Sequence, residues 1–177
     1  GPRINSPSIN PGDEMYSSAI VEEAVVRLLR EAECMLPADV RAALSAALGN
    51  EPEMLPRSQL EAVLRNAAMA AELTVPMCQD TGLPVFFVRG RYDPRMERAI
   101  RRGVARATEE VPLRPNTVDP VSRANHGDNL GLWMPPVHFE PSDARHLDLA
   151  VLPKGAGSEN WSALRMLNPA EGMEGVR

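Results

Sequence analysis

The chain has 177 residues, of which 44% are hydrophobic, and its formal net charge is −5, from 19 basic and 24 acidic residues. This length suits one domain, or one domain and part of another, and it suffices to bury a core without disulfide or metal staples. The mildly acidic balance gives no electrostatic case for nucleic-acid binding, and two cysteines are too few for a disulfide scaffold. No apolar run would span a membrane and no hydrophobic leader is visible, so a reduced, cytoplasmic protein is expected.

Residues 1–12 are rich in Ser, Pro and Asn and are expected to form a flexible N-terminus. Gly1 and Pro2 also have the form of a remnant left by tag cleavage. The folded region is therefore expected to cover residues 13–177.

Three helices are predicted before Leu73. The first runs from Asp13 to Leu36, the second from Ala38 to Leu48, and the third opens at Ser58, where Glu61 completes a capping box. The apolar side of the first helix is expected to consist of Ile20, Ala24, Leu28 and Ala32. That of the third is expected to consist of Leu60, Val63, Leu64, Ala67, Ala68 and Ala71.

A short apolar run, Val85–Val88, follows a turn and predicts a buried strand. Asp93 and Pro94 then open a helix that reaches about Glu110, and its arginines indicate a solvated face or an interface. The order of elements up to this point is helices, then a strand, then a helix.

Two further strands are predicted after the polar loop 112–129. They span Leu130–Phe139 and His146–Leu152 and are joined by a turn at residues 141–143. A glycine-rich loop and a helix from Asn160 to Leu167 follow. The pattern predicts an α+β fold, with N-terminal helices followed by a mixed α/β region that contains a short sheet.

Three polar segments are candidates for a functional site. The first is the turn that carries Cys78, Gln79 and Asp80, although a cysteine in this setting is also often a buried small hydrophobe. The second contains Arg114, which suits a carboxylate ligand, within a loop that Asx turns alone would also explain. The third, KGAGSEN from Lys154 on, is either an anion-binding loop or a plain strand–helix turn.

Four stretches occur in an order that resembles one family. They are similar to motifs of the class I (iron–sulfur) fumarate hydratase and L-tartrate dehydratase alpha-subunit family. The four stretches are VPMCQDTGLPVFFV, LRPNTVDP with NHGDN, LPKGAGSEN and ALRMLNPAEG. The resemblance runs from about the third helix to the end of the chain. It implies that residues 13–177 are the N-terminal portion of an alpha-type catalytic domain, which ends before the remaining cluster cysteines.

The resemblance also implies a cofactor and a reaction. Members hold a [4Fe–4S] cluster through three cysteines, and the open iron acts as a Lewis acid when fumarate is hydrated to malate or tartrate is dehydrated. Cys78 matches the first of these cysteines, whereas Cys34 matches none and is expected in the core. A small dicarboxylate substrate, a beta subunit or C-terminal domain, and a homo- or hetero-oligomer are the implied partners.

Site residues follow from the matching motifs. Asp80 is expected to relay a proton at the hydroxyl of the substrate, and Arg114 to hold a carboxylate. The implied substrate-binding set is Gln79, Asp80, Arg114, Gly157, Asn160, Trp161 and Ser162, and Asn129 and Lys154 also fall in family motifs.

Two other functions remain open at this point. One is a non-catalytic alpha-type module for binding or assembly, which the shortage of cysteines favours. The other is an enzyme that binds a phosphorylated ligand at the KGAGSEN loop without any cluster; the clustering of Cys78, Gln79 and Asp80 argues against it.

Overall fold

The computed structural model describes residues 16–144, 146–155, 157 and 161–176. Within these ranges the helices are α1 (Ser18–Cys34), α2 (Ala38–Asn50), α3 (Met54–Leu73), α4 (Pro94–Glu110) and the short α5 (Gly172–Val176). The strands are β1 (Leu83–Gly90), β2 (Val137–Pro141) and β3 (Asp148–Lys154). A single 3-10 turn at Pro169–Glu171 precedes α5. The predicted α+β class is confirmed.

β1 is the central strand of a three-stranded mixed sheet. It pairs in parallel with β2 on one side and antiparallel with β3 on the other. The two strands that the sequence predicted on either side of a turn, β2 and β3, are both present but do not pair with each other. Their connection instead crosses the end of β1, where the Ser142 N–H donates to the Gly90 carbonyl at 2.9 Å.

The second predicted strand is also shorter than expected. It begins at Val137 rather than Leu130, because residues 131–134 fold back in a turn closed by a Gly131–Met134 bridge. Arg101 of α4 donates to the Gly131 carbonyl at 3.2 Å and so secures this turn from the side. The extended strand therefore begins only after the pair of prolines at 135 and 136.

The core lies between one face of the sheet and the helices α1 and α4. Phe86 and Val88 of β1 point into it and are almost completely buried. The predicted apolar side of α1 is wrong by one position, since Ile20 is 57% exposed and the buried stripe begins at Val21. Both stripes repeat every four residues. The predicted stripe contains two alanines, whereas the buried one consists of Val and Leu side chains, whose burial removes more apolar surface from water. The members of the buried stripe are Val21, Val25, Val26 and Leu29.

α4 begins where the sequence predicted. The Asp93 side chain caps it by accepting from the Arg95 N–H at 2.9 Å, and Pro94 occupies the first turn, where an N–H is not needed. The Arg95 side chain also bonds to the Asp93 carboxylate and thereby lowers the pKa of that carboxyl. Much of the basic face of α4 turns toward α1, with Arg102 paired to Glu22 and Arg106 to Glu23.

The third helix begins four residues before its predicted start. Pro56 lies in the first turn of α3, where proline is tolerated, and the Ser58 hydroxyl donates to the Leu55 carbonyl at 2.8 Å instead of capping the helix. The capping-box prediction is therefore wrong. The predicted apolar side of α3 is borne out in part: Ala67 is buried, Leu60, Leu64 and Ala71 are partly buried, and Val63 and Ala68 are exposed.

The predicted helix Asn160–Leu167 is not confirmed. Asn160 lies outside the described residues, and residues 162–168 have no regular structure. The side chains of this stretch are exposed, so no tertiary packing offsets the cost of ordering a short helix. None of the helices in the described ranges has the length and apolar character needed to cross a membrane.

Candidate functional site

An open cleft of about 570 Å³ lies at the N-terminal end of β1. Two of the three candidate segments, the cysteine turn and the segment around Arg114, form its walls. Its lining residues are Pro76, Met77, Cys78, Gln79, Thr81, Pro112 and Arg114. The fold thus brings together groups that lie more than thirty positions apart in the chain.

The cysteine turn is attached to two helices, α1 and α3. The Met77 N–H donates to the Glu33 carbonyl of α1 at 3.0 Å, and the Asn66 side chain of α3 donates to the Met77 carbonyl at 2.8 Å. These backbone contacts fix the residue immediately before Cys78. The Cys78 thiol is free and exposed at the cleft.

Asp80 forms an Asx turn, in which its Oδ1 accepts from the Gly82 N–H at 3.1 Å. Gly82 has a φ of +68°, and a Cβ atom there would lie 2.5 Å from the Lys154 carbonyl oxygen. Only glycine fits this place, because β3 ends directly against the turn. Gly155 follows, and a Cβ atom on it would lie 3.4 Å from Asp80 Oδ2, so the start of the glycine-rich loop flanks Asp80.

Thr81 joins the two walls of the cleft. Its buried hydroxyl accepts from the Arg114 N–H at 3.1 Å and faces the Arg114 carbonyl, to which it donates at 3.3 Å. The Asn116 side chain adds a bond to the Gly82 carbonyl at 2.9 Å. Because its backbone is held in this way, Arg114 can project an exposed side chain over the turn that carries Cys78.

Asn129 lies behind the Arg114 segment and is 2% exposed. Its amide oxygen accepts from the Asn116 N–H at 2.7 Å, and its amide nitrogen donates to the Arg114 carbonyl and to the Thr108 hydroxyl, both at 3.1 Å. These contacts lie within the protein. The structure therefore places Asn129 as a support for the wall and not as part of the lining.

Asx turns order the loop beyond Arg114. The Asp119 carboxylate accepts from the N–H groups of Val121 and Ser122, and these bonds, that of Ser122 first, lower its pKa. Asn125 forms the same kind of turn with Gly127. The plain interpretation of this part of the loop, a surface segment held by Asx turns, matches the structure.

The remaining candidates lie on the third segment. Lys154 ends β3 and is partly buried, Gly157 is exposed, and Asn160 lies outside the described residues. Trp161 is 93% exposed and Ser162 is exposed as well. The structure thus brings the beginning of the KGAGSEN segment to Asp80, and the role of the later residues stays a prediction.

Glu33 is a buried carboxyl next to the cysteine turn that the sequence analysis did not single out. It is 7% exposed, and its Oε1 has no hydrogen-bond partner within the described part of the chain. Burial, and after it the charge of Asp80, raise the pKa of Glu33 to about 7. A signal was present in the sequence: Glu33 follows Leu29 by four residues, so it continues the stripe that α1 buries.

One residue suits an iron–sulfur cluster. Thiolates hold such clusters, and Cys78 presents its thiol in an open cleft. Cys34 is completely buried in the core, as expected, and burial raises the pKa of its thiol. Across residues 16–144, 146–155, 157 and 161–176, no three His, Cys, Asp or Glu side chains converge as metal ligands. These ranges therefore contain one suitable ligand and not a complete cluster site.

Similarity to known proteins supports the family resemblance that the motifs indicate. A family model described as Fumarate hydratase (Fumerase) matches residues 22–177. The chain is 43% identical to a putative L(+)-tartrate dehydratase subunit alpha of Methanocaldococcus jannaschii over 89% of its own length and 58% of that protein. It is 37% identical to a putative fumarate hydratase class I of Geobacillus stearothermophilus, over 78% of this chain and 28% of the relative.

A third relative is the L(+)-tartrate dehydratase subunit alpha of Escherichia coli K12, which is 34% identical over 63% of this chain and 38% of that protein. The chain thus spans little more than half of the first relative and less of the others. The family match covers most of the chain and includes every element of the cleft. The chain belongs to the fumarate hydratase (Fumerase) family.

Proposed function

We propose that this chain is part of a [4Fe–4S]-dependent hydro-lyase that adds water to fumarate, or removes it from malate or tartrate. One observation carries the proposal: a single cleft gathers Cys78, Gln79 and Arg114 in a chain of this family. A thiol, an amide and a guanidinium at one cleft supply a cluster ligand and two groups that bind a hydroxy dicarboxylate.

Arg114 binds a carboxylate of the substrate in this proposal. Its planar guanidinium donates two parallel hydrogen bonds, which fix the orientation of the ligand as well as its charge. The two bonds between Thr81 and the Arg114 backbone keep the base of the side chain in place. The arginine therefore orients the substrate relative to Cys78.

Asp80 lies at the hydroxyl of the substrate. Its Oδ1 is fixed by Gly82, and its Oδ2 faces the start of the glycine-rich loop. A carboxylate held in this way can accept or return the proton of the departing water. Gln79 hydrogen-bonds the same substrate, and Gly157, Asn160, Trp161 and Ser162 belong to the loop that closes over it. Lys154 at the end of β3 supports this loop.

Cys78 provides one thiolate of the cluster, and the other ligands lie outside the described residues. When bound, the cluster would supply Lewis-acid activation of the hydroxyl group. A beta subunit, or an equivalent C-terminal domain, completes the site within an oligomer. Two relatives named as alpha subunits support this part of the proposal.

A non-catalytic binding or assembly module is the second candidate. One observation favours it: Cys78 is the exposed thiol of a chain that has two cysteines, and the other is buried. A module of this kind would bind its partner without turning over a dicarboxylate.

Three substitutions in the complete, anaerobically prepared enzyme test the proposal. Cys78→Ser should lose the cluster and nearly all activity, because a hydroxyl is a harder and more basic donor than a thiolate. Cys34→Ser is the matched control and should keep both, since Cys34 packs in the core. Arg114→Lys should keep the cluster but raise KM by about tenfold or more, because lysine loses the two-point contact.

Iron content, visible absorbance and hydration rate are measured for each variant. A normal cluster and a normal rate in the Cys78→Ser variant would refute the assignment. A complete wild-type enzyme that binds its partner but turns over no dicarboxylate would favour the module instead.

A further inference from the structure

Thr81 is a buried residue of the cleft whose side chain connects one wall to the other. It is 6% exposed, and its hydroxyl accepts from the Arg114 N–H at 3.1 Å and donates to the Arg114 carbonyl at 3.3 Å. A threonine hydroxyl has a single proton, which this contact uses, so it is not available as a donor to a ligand. The role of Thr81 therefore depends on where it holds Arg114.

The backbone of Arg114 is also constrained by its neighbours. Leu113, before it, is buried in the core, and its N–H donates to the Thr108 carbonyl of α4 at 3.1 Å. Pro115 follows and restricts the backbone of the residue that precedes it. The Asn129 side chain donates to the Arg114 carbonyl at 3.1 Å as well. The wall is thus fixed up to the exposed side chain of the arginine.

The cysteine turn is the opposite wall of the cleft and is also held in place. A Cβ atom on Gly82 would lie 2.5 Å from the Lys154 carbonyl oxygen, so the turn lies directly against the end of β3. The Asn116 side chain donates to the Gly82 carbonyl at 2.9 Å and forms a second bridge between the two segments. The bridges made by Thr81 and Asn116 together set the separation of the two walls.

We propose that Thr81 is a positioning residue that, with Asn116 as the second bridge, makes the cleft selective for four-carbon dicarboxylates over longer ones. In the proposed function, on which this inference rests, Arg114 holds one carboxylate and the other end of the substrate meets Cys78 and Gln79. A ligand that contacts two fixed walls is selected by its length, because a longer chain cannot place both ends at their partners at once. Thr81 therefore acts through Arg114 and not on the substrate itself.

Three threonine variants of the complete enzyme test this role. Thr81→Val keeps the shape of the side chain and removes the hydroxyl, whereas Thr81→Ser keeps the hydroxyl. Thr117→Val is the matched control, because it makes the same change where the buried hydroxyl has no hydrogen-bond partner within the described part of the chain. Succinate and glutarate, saturated diacids that differ by one methylene, are the probes, since neither can be hydrated.

The measured quantity is the ratio of the glutarate and succinate dissociation constants, from calorimetry and from inhibition of turnover. The wild-type enzyme should prefer succinate by about tenfold or more, the range that one methylene gives in a fixed site. Thr81→Val should reduce this preference by about threefold or more, with iron content near that of the wild type, because the Arg114 wall can then shift. Thr81→Ser and Thr117→Val should keep the preference within about twofold of the wild type.

An unchanged preference in the Thr81→Val variant would overturn the inference while the proposed function stands. An equal change in the Thr117→Val variant would overturn it as well, since the bonds to Arg114 would not be the cause. A wild-type enzyme that converts a dicarboxylate but binds glutarate as tightly as succinate would also count against it. A wild-type enzyme that neither binds nor converts any dicarboxylate would instead remove the proposed function, and the inference with it.

Asn116→Ala keeps the inference testable if the Thr81→Val variant does not fold or loses iron. This change removes the second bridge, to the Gly82 carbonyl, and leaves the Thr81 hydroxyl in place. It should lower the preference for succinate in the same direction. An unchanged preference in a folded Asn116→Ala variant that retains its iron would show that the bridges do not set the separation of the walls, and the inference would fail.

Discussion

Asn129 shows how a single side chain can set the shape of the cleft from behind it. Its amide bonds to the backbone of Asn116 and Arg114 and to the Thr108 side chain of α4. Because these partners lie in different segments, the bonds hold the Arg114 wall against the helix. The residue has a φ of +56°, a backbone conformation that asparagine tolerates better than most other residues. Its placement in a family motif is thus consistent with a structural task.

The first prediction concerns this residue. Asn129→Ala should lower the free energy of unfolding by about 2 kcal/mol or more, because it leaves buried backbone groups without partners. Urea unfolding of the chain measures the change. Asn125→Ala is the matched control, since Asn125 bonds to the Pro115 carbonyl from an exposed position, and it should cost less than about 1 kcal/mol. An equal loss in the free energy of unfolding for the two variants would contradict the structural role of Asn129.

At the scale of elements, the helices were largely predictable from the sequence and the sheet was not. Local signals located α2 and α4, and Asp93 caps α4 as predicted. The buried face of α1 was misjudged because two apolar stripes compete there, and only contact with α4 selects one. The pairing of β3 with β1 was missed because strand order depends on long-range contacts, which neither propensity nor turn residues specify.

The same distinction applies to the candidate site. The residue types of the cysteine turn and of the Arg114 segment were recognisable from their chemistry and their motifs. The contacts that bring them together, through Thr81 and Asn116, link positions that are far apart in the chain and left no local pattern. Glu33 was overlooked because a glutamate on a helix is usually solvated, and only its position on the buried stripe distinguishes it.

The second prediction tests the packing of α1 on α4. A Cβ atom on Gly103 would lie 2.6 Å from the Val25 Cβ and 3.0 Å from the Glu22 carbonyl oxygen. Gly103→Ala should therefore destabilise the chain by about 1–3 kcal/mol, although alanine is the better helix former. Gly49→Ala in α2 is the control, because no atom of the described residues lies within 4 Å of a Cβ there, and it should be neutral or stabilising.

Thermal or urea unfolding of the two alanine variants decides this prediction. A Gly103→Ala variant as stable as the Gly49→Ala variant would show that the helices move apart without cost and that their close approach is not required.

At the scale of the whole molecule, the described residues form a core on one face of the sheet, and apolar side chains outside that core are exposed. α1 and α4 cover one face of the sheet, whereas on the other face Phe87 stacks on His138 with ring centroids 5.1 Å apart and remains partly exposed. α2 has no buried residue at all. The cleft is likewise open, and Cys78 is exposed at it, whereas Asp80 is exposed but does not line it. The cleft therefore presents groups that can bind a substrate, but the described residues do not enclose one.

The last prediction follows from the cysteines. The purified 177-residue chain should fold but show no fumarate hydration, because it has two cysteines, of which one is exposed at the cleft and the other is buried in the core. One thiolate cannot hold a cluster that needs three, and without the cluster the hydroxyl group is not activated. The assay is performed without oxygen, on protein from a host that lacks its own fumarases, after iron and sulfide have been offered. The Cys78→Ser variant of the same chain is the matched control and should give the same background rate. Hydration by the wild-type chain clearly above that background would show that a single thiol and the open cleft suffice, and the need for further ligands and a second subunit would then have to be abandoned.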